Sequence, residues 1–338
     1  MPELNTQVLA DFVRNAEILW HKGADSIPQV LRNSGLVKEI PVPQMTGNVR
    51  EFSEVELEQY ARKKNEGDDA IRARVQQGYT KTATLKRYGM DISITYEMRT
   101  QGKYFEMKQK LTNLGQLCPN RLDLDLSHRL GFGSATAYTD MDGESVDVTV
   151  GDTLALYSTV HTLRGSSTTF RNRLANSPQL SYGALEAMEK MRKENTYNQF
   201  GQKMTIPDDI LWTTDDPNTV NTAKKLLGST ASPDQANSNV TNPYSGKYRH
   251  LSLPRLATDA NGAPDTTKAK YWGVASTMNS TFFLGVHEEP RLKSPMSTGG
   301  VNPEDMSNDN WQFGTRAGYF LCIVSASWVG VSYGDGTA

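Results

Sequence analysis

The chain has 338 residues, more than the ~250–300 that one hydrophobic core usually serves, so two lobes are expected. A hydrophobic fraction of 37%, a net charge of -2, a pI near 6.2 and a mean hydropathy of -0.56 exclude strong, uniform nucleic-acid binding, which needs a basic excess. No apolar run approaches the ~18 residues of a membrane-crossing helix, and MPELNTQVLADF lacks the basic flank and apolar stretch of a signal peptide.

With 5 Trp and 14 Tyr the chain is too aromatic for disorder. Such polarity then implies extended parts whose burial depends on partners. The two cysteines, Cys118 and Cys322, sit in apolar contexts and read as buried thiols, not as a disulfide framework.

Residues 5–22 form an amphipathic helix with Val8, Leu9, Phe12, Ile18 and Leu19 on its apolar side, stopped by Gly23. A short terminal helix is marginal alone. It needs a docking surface, and another subunit is the expected one. Residues 27–49, with Pro28, Pro41 and Pro43, read as an extended arm. The charged run 50–78 reads as a solvated face, with Ser53 and Glu56 as a capping box for a short helix. Thr82, Thr84, Ile92, Ile94 and Tyr96 then alternate as strand, with a bend expected at Gly89. Two β segments around a charged middle make a two-stranded tongue, which is marginal in water unless it lies on a neighbour.

The stretch Tyr104–Gly131 organises the rest. Tyr104, Met107, Leu111, Leu114 and Cys118, then Leu122, Leu126 and Leu130, keep to one helical face, with charges on the others. At ~1.5 Å per residue it would span roughly 40 Å. Pro119 predicts a kink or restart, and Gly131 and Gly133 a stop. Asp142-Gly143 is a turn before alternating Val146, Val148 and Val150; 164–179 reads as a loop. Ser181 caps a helix over 182–195; Ile210–Trp212 is a short buried strand. Asp216 and Pro217 open a helix closed by Gly228. Strands are expected at 248–256, 271–275 and 281–287, a loop over 290–310, and two strands after Trp311.

No catalytic constellation emerges. The five histidines are scattered, and HExxH, CxxC, GxSxG and GxxxxGK[ST] are absent. Asp140–Gly143 lacks the remaining ligands of a calcium loop, and His287-Glu288-Glu289 lacks a paired histidine. His128 reads as a hydrogen-bonded structural histidine. No enzyme activity, metal or cofactor is expected.

The order of elements resembles the major capsid proteins of tailed phages, nearest the Mu-like head-subunit branch. The likeness is carried by RYGMDISITYEM before the long helix and LGFGSATAYTDMDG after it. It continues through LYSTVHT with LSYGALEAMEKM, through IPDDILWTTDDPNTVNTAKKLLGS, and through SNVTNPYSGKYRHLSLPRL. It covers essentially the whole chain. Trp212-Thr213-Thr214, in place of an aliphatic run, and Pro119 depart from the pattern.

The resemblance implies an α+β fold of the Hong Kong 97 type. Its parts would be an N-terminal arm (1–48), an extended β loop (49–98), a peripheral domain with the spine helix (99–180) and an axial domain (181–310). C-terminal strands (311–338) would return to the peripheral domain. It implies a non-enzymatic shell protein forming hexamers and pentamers of an icosahedral head around double-stranded DNA. Assembly would take place in the host bacterial cytoplasm. Implied partners are a separate scaffolding protein, with no removed N-terminal segment, a portal, a decoration protein, and packaged DNA held by weak non-specific contact; no membrane is involved. An encapsulin-like compartment of the same fold is the alternative, against which the long tongue counts. Leu9, Phe12, Trp20, Tyr79, Lys81 and Lys86 are the candidate subunit contacts. A lysine–asparagine cross-link between subunits, known in relatives, is not expected, since no carboxylate is placed beside the tongue lysines.

Overall fold

The computed structural model describes residues 6–41, 47–67, 69–231, 241–293 and 310–336. The expected loop over 290–310 lies mostly outside them, and the described part of it, to Lys293, is strand. Among the described residues the fold is α+β: two four-stranded sheets, three two-stranded ones and five α-helices.

The first helix, α1 (Thr6–Asp25), lies on the chain's own long helix. Phe12, Ala16 and Trp20 are buried among Met107, Leu111, Leu114, Trp311 and Phe313. This corrects the expectation that the helix docks outside its own core. The reason is two glycines. A Cβ at Gly23 would collide with the carbonyl of Thr112, and one at Gly115 with the carbonyl of Trp20. Without side chains there, the two backbones come close enough for the apolar faces to close.

β1 (Val37–Pro41) runs parallel to a later strand that begins at Phe282. The tongue is β2 (Val49–Leu57) paired antiparallel with β3 (Val75–Thr84), from Val49–Thr84 to Leu57–Val75, with one register shift between Ser53 and Val55. The capping box at Ser53 and Glu56 is therefore strand, not helix. Phe52 stacks on Phe283 at 5.4 Å between ring centroids, and that anchor together with the ladder outweighs the local signal. The chain turns at buried Leu85, not at Gly89, into β4 (Lys86–Ile94). Gly89 lies inside β4 opposite Arg316, where a side chain would crowd the Thr315 carbonyl.

A short helix, α2 (Tyr96–Thr100), is capped by the Thr95 hydroxyl, which accepts from Met98 N–H. The spine, α3, spans Tyr104–Gly131, the bounds expected from sequence. It does not restart at Pro119. That residue is buried within the helix, and its carbonyl accepts from Gln29 Nε2 at 2.9 Å. The spine is one-sided only in its first half. From Leu122 onward Asp123, Asp125, Ser127 and His128 are buried too.

β5 (Ala137–Thr139) and β6 (Ser145–Asp147) form the hairpin signalled by Asp142-Gly143. A second hairpin, β7 (His161–Leu163) with β8 (Ser166–Phe170), occupies part of the expected loop. α4 (Tyr182–Glu194) begins with the Ser181 hydroxyl accepting from Ala184 N–H. β9 (Ile210–Thr213) leads into α5 (Pro217–Gly228), where Asp216 accepts from Thr219 N–H. β10 (Arg249–Ser252), β11 (Trp272–Ala275), β12 (Phe282–Lys293), β13 (Trp311–Ile323) and β14 (Val329–Ser332) complete the chain.

The first sheet has the order β1-β12-β13-β4 and the second β10-β9-β11-β14. β12, inside the expected axial segment, joins the first sheet. β14, inside the expected returning segment, joins the second. Side chains alternate across the second sheet. Leu211, Trp272 and Val274 pack under α4 and α5, while Ile210, Trp212 and Val331 face a core shared with Leu122, Leu126 and Leu130 of the spine. The spine's second half thus runs between the sheets, which explains why its charged residues need partners.

Candidate assembly surface

Those partners are specific. Asp123 pairs with Arg255 at 2.8 Å. Asp125 accepts from Arg121 at 3.0 Å and from the Tyr319 hydroxyl at 2.8 Å. Arg121 also lies over the Tyr88 ring, 4.5 Å from its centroid, and reaches Asp142 at 3.0 Å. Buried charges left alone would cost several kcal/mol each, so this network ties α3 to β4, β13 and the β5–β6 hairpin.

The same hairpin braces the base of the tongue from both sides of the Leu85 turn. Lys81, on the tongue side, donates to Asp147 at 2.7 Å. Lys86, on the sheet side, reaches Glu144 at 3.0 Å and Asp140 at 3.3 Å. Carboxylates thus do stand beside both lysines, which corrects the ground for expecting no cross-link. Between them lies a cavity of about 190 Å³ lined by both lysines, Arg129, Asp147, Tyr138 and Cys322. Burial pushes the Cys322 thiol up to about 12, so it stays protonated and unreactive at neutral pH.

Farther out the tongue is sided in an unusual way. Along β2 the exposures alternate, and they are inverted relative to polarity. Glu54 and Glu56 face the body, while Val55 and Leu57 face solvent at 62% and 60% exposure. Val75, opposite Leu57, is 62% exposed. Tyr60 and Ile71 in the tip are exposed as well. Glu58 accepts from Arg62 and Arg74, whose hydrogen bonds hold its carboxyl down at about 2. An aliphatic stripe turned to solvent above a carboxylate face turned inward is not how a lone hairpin protects itself.

The six residues singled out from sequence all sit near the spine or the tongue. Phe12 and Trp20 are spent inside the chain's own core. Leu9 belongs to α1, but its side chain lies outside the described residues. Tyr79 hydrogen-bonds through its hydroxyl to Thr162 at 2.8 Å, and Lys81 and Lys86 are held by the hairpin. Sequence reasoning passed over Val55, Leu57 and Val75. The signal was present in SEVELE, a strict alternation of carboxylate and aliphatic residues, but the charge density of the segment hid it.

Among the described residues no helix is long and apolar enough to cross a membrane, and no group of three or more His, Cys, Asp or Glu is placed to hold a metal ion. No protein-family model matches the chain, and no curated protein matches it in sequence. Solved structures do show a likeness over most of its length. One is the capsid of the cyanophage P-SCSP1u, at 9% identity and a TM-score of 0.49, covering 88% of this chain and 85% of that one. Another is from Microbacterium phage Oxtober96, at 9% identity and a TM-score of 0.47, covering 88% and 89%. A third is the virus-like particle of Pyrococcus furiosus, at 10% identity and a TM-score of 0.45, covering 95% and 98%. All three TM-scores lie below 0.5, so the likeness by itself assigns no role to this chain.

Proposed function

We propose that this chain is the major shell protein of a tailed-phage head, of the Hong Kong 97-like fold and nearest the Mu-like branch. The observation that carries the reading is the inverted tongue. Val55, Leu57 and Val75 form an aliphatic stripe open to solvent on the outer part of the tongue, beyond the Phe52 anchor, where Glu54 and Glu56 meet the body through hydrogen bonds to Gln199. Such a stripe is stable in water when a second copy covers it. Identical copies joined tongue-to-body make heterologous contacts, which close into rings of five and six. The spine and the two sheets supply a rigid tile, and many modest interfaces between tiles hold the shell.

On this reading 49–98 overlaps a neighbour, 181–310 points to the ring centres, and the inner face meets packaged double-stranded DNA. With a net charge of -2, that last contact is weak and non-specific. Scaffolding, portal and decoration proteins are the expected partners, the virion the expected location, and the reading includes no catalysis.

Electron microscopy of the full chain expressed with its neighbouring genes tests the proposal. Angular shells, empty or DNA-filled, are the expected result. Small uniform shells enclosing protein cargo would move the assignment to an encapsulin-like compartment. A chain that stays monomeric or dimeric under every assembly condition would overturn it.

A further inference from the structure

The inward face of the tongue meets its own body through two carboxylates. Glu54 accepts from Gln199 Nε2 at 3.1 Å, and the Gln199 main-chain N–H donates to Glu56 at 2.6 Å. Just beyond, Gln59 N–H donates to Gln202 Oε1 at 3.1 Å, and the Tyr60 hydroxyl donates to the Lys203 carbonyl at 3.3 Å. The two glutamates stand two residues apart on one face of a strand, so their side chains are neighbours.

The surroundings offer little positive charge. Neither glutamate has an ion-pair partner among the described residues. From β1, Lys38 acts on Glu54 through space only. From β3, Gly78 presents backbone to Glu54, and its carbonyl takes up the Arg164 guanidinium at 2.9 Å. Arg74 is engaged by Glu58 and by the Phe200 ring. The 198–203 segment therefore meets the pair with neutral amides rather than cations.

We propose that Glu54 and Glu56 form a proton-dependent latch that parks the tongue on its own 198–203 segment, closed when the pair holds a proton and open when both carboxylates are charged. The latch is a property of the single chain and stands whether or not shells form. Burial and the Glu56 charge lift Glu54 to about 7, and burial lifts Glu56. The docked state thus binds protons more tightly than the free one. Docking is fully stabilised below the ordinary carboxylate range and weakens as pH rises through about 7. Once released, the tongue remains tethered at the Leu85 turn by the two lysine pairs.

Hydrogen exchange on the dilute full-length chain tests this, with rates corrected for the intrinsic pH dependence of exchange. Protection of the Gln199 and Gln59 amides is expected to fall on the order of tenfold between about pH 5.5 and about pH 8.5, while spine amides at Leu122 and Leu126 hold constant. The isosteric double variant Glu54→Gln, Glu56→Gln keeps the hydrogen bonds and should retain its low-pH protection at high pH. Gln199→Ala should lower protection at low pH and shrink the pH response. Equal wild-type protection at both pH values, or the same slope in the double variant, would overturn the latch. Because no assembled particle is involved, failure here is separable from failure of the shell assignment.

Discussion

Gly115 of the spine lies directly against the main-chain carbonyl of Trp20, with no room for a Cβ between them. Gly23 stands in the same relation to Thr112. These two contacts decide whether α1 belongs to the subunit. Gly115→Ala should push the helices apart and cost about 2 kcal/mol, in the range of core overpacking. Denaturant titration measures the loss, and faster proteolytic release of α1 shows where it falls. Deleting residues 1–25 uncovers Met107, Leu111 and Leu114, so the expected product is insoluble or molten. A soluble, cooperatively folding truncation would place α1 outside the core after all.

The apolar face of the spine gives a second expectation. Leu114 is 1% exposed, in the cluster that holds Trp20 and Phe313. Leu114→Asp buries a carboxylate with no partner, a penalty of several kcal/mol that exceeds the usual margin of a folded domain. Inclusion bodies, or soluble chain lacking native circular dichroism, are the expected outcome. Native spectra at normal yield would contradict the facing.

His128 makes acid stability testable. It is 1% exposed, with Nε2 3.0 Å from the Thr258 hydroxyl. Burial, followed by the charges of Lys268 and Arg121, lowers it to about 4. Unfolding restores a value near 6.5, so the unfolded chain binds the extra proton first. Stability is therefore complete above about pH 6.5 and is lost as pH falls toward about 4, by up to about 3 kcal/mol. His128→Gln should flatten that part of the curve when denaturation midpoints are compared at neutral and mildly acidic pH. The carboxylates of Asp140 and Asp152, held below their ordinary range, add a separate loss at still lower pH.

What could be read from the residues follows a physical division. The spine's bounds, the caps at Ser181 and Asp216, the Asp142-Gly143 turn and the buried Ile210–Trp212 strand are local, and each is written in consecutive residues. The docking of α1 is not local. It depends on Gly23 and Gly115, nearly a hundred positions apart, and a lone glycine reads first as a stop. The Ser53–Glu56 capping box lost to a ladder partner, β3, and to Phe283, which the sequence could not bring alongside. The buried charges after Leu122 were equally hidden. A spine that enters the space between two sheets needs the second sheet to exist before Asp123 and Asp125 look enclosed.

The outward stripe of the tongue gives the sharpest separation of folding from assembly. Leu57 and Val75 face each other across β2 and β3 and are exposed in the single chain. Replacing either by aspartate disturbs only that exposed cross-strand pair, so stability should change by less than about 1 kcal/mol. A charge on a surface that must become buried between copies costs several kcal/mol per interface, and the penalty repeats at every copy in a ring. Leu57→Asp and Val75→Asp chains are therefore expected to stay soluble, folded and unassembled, seen as a single slow-sedimenting species under conditions where the wild type forms particles. Lys63→Asp, in the charged part of the tip, serves as the control that makes the tongue more negative without touching the stripe. Wild-type yields of shells from the Leu57 and Val75 variants would mean that the stripe faces solvent in the particle too, and the basis for the assembly reading would be gone.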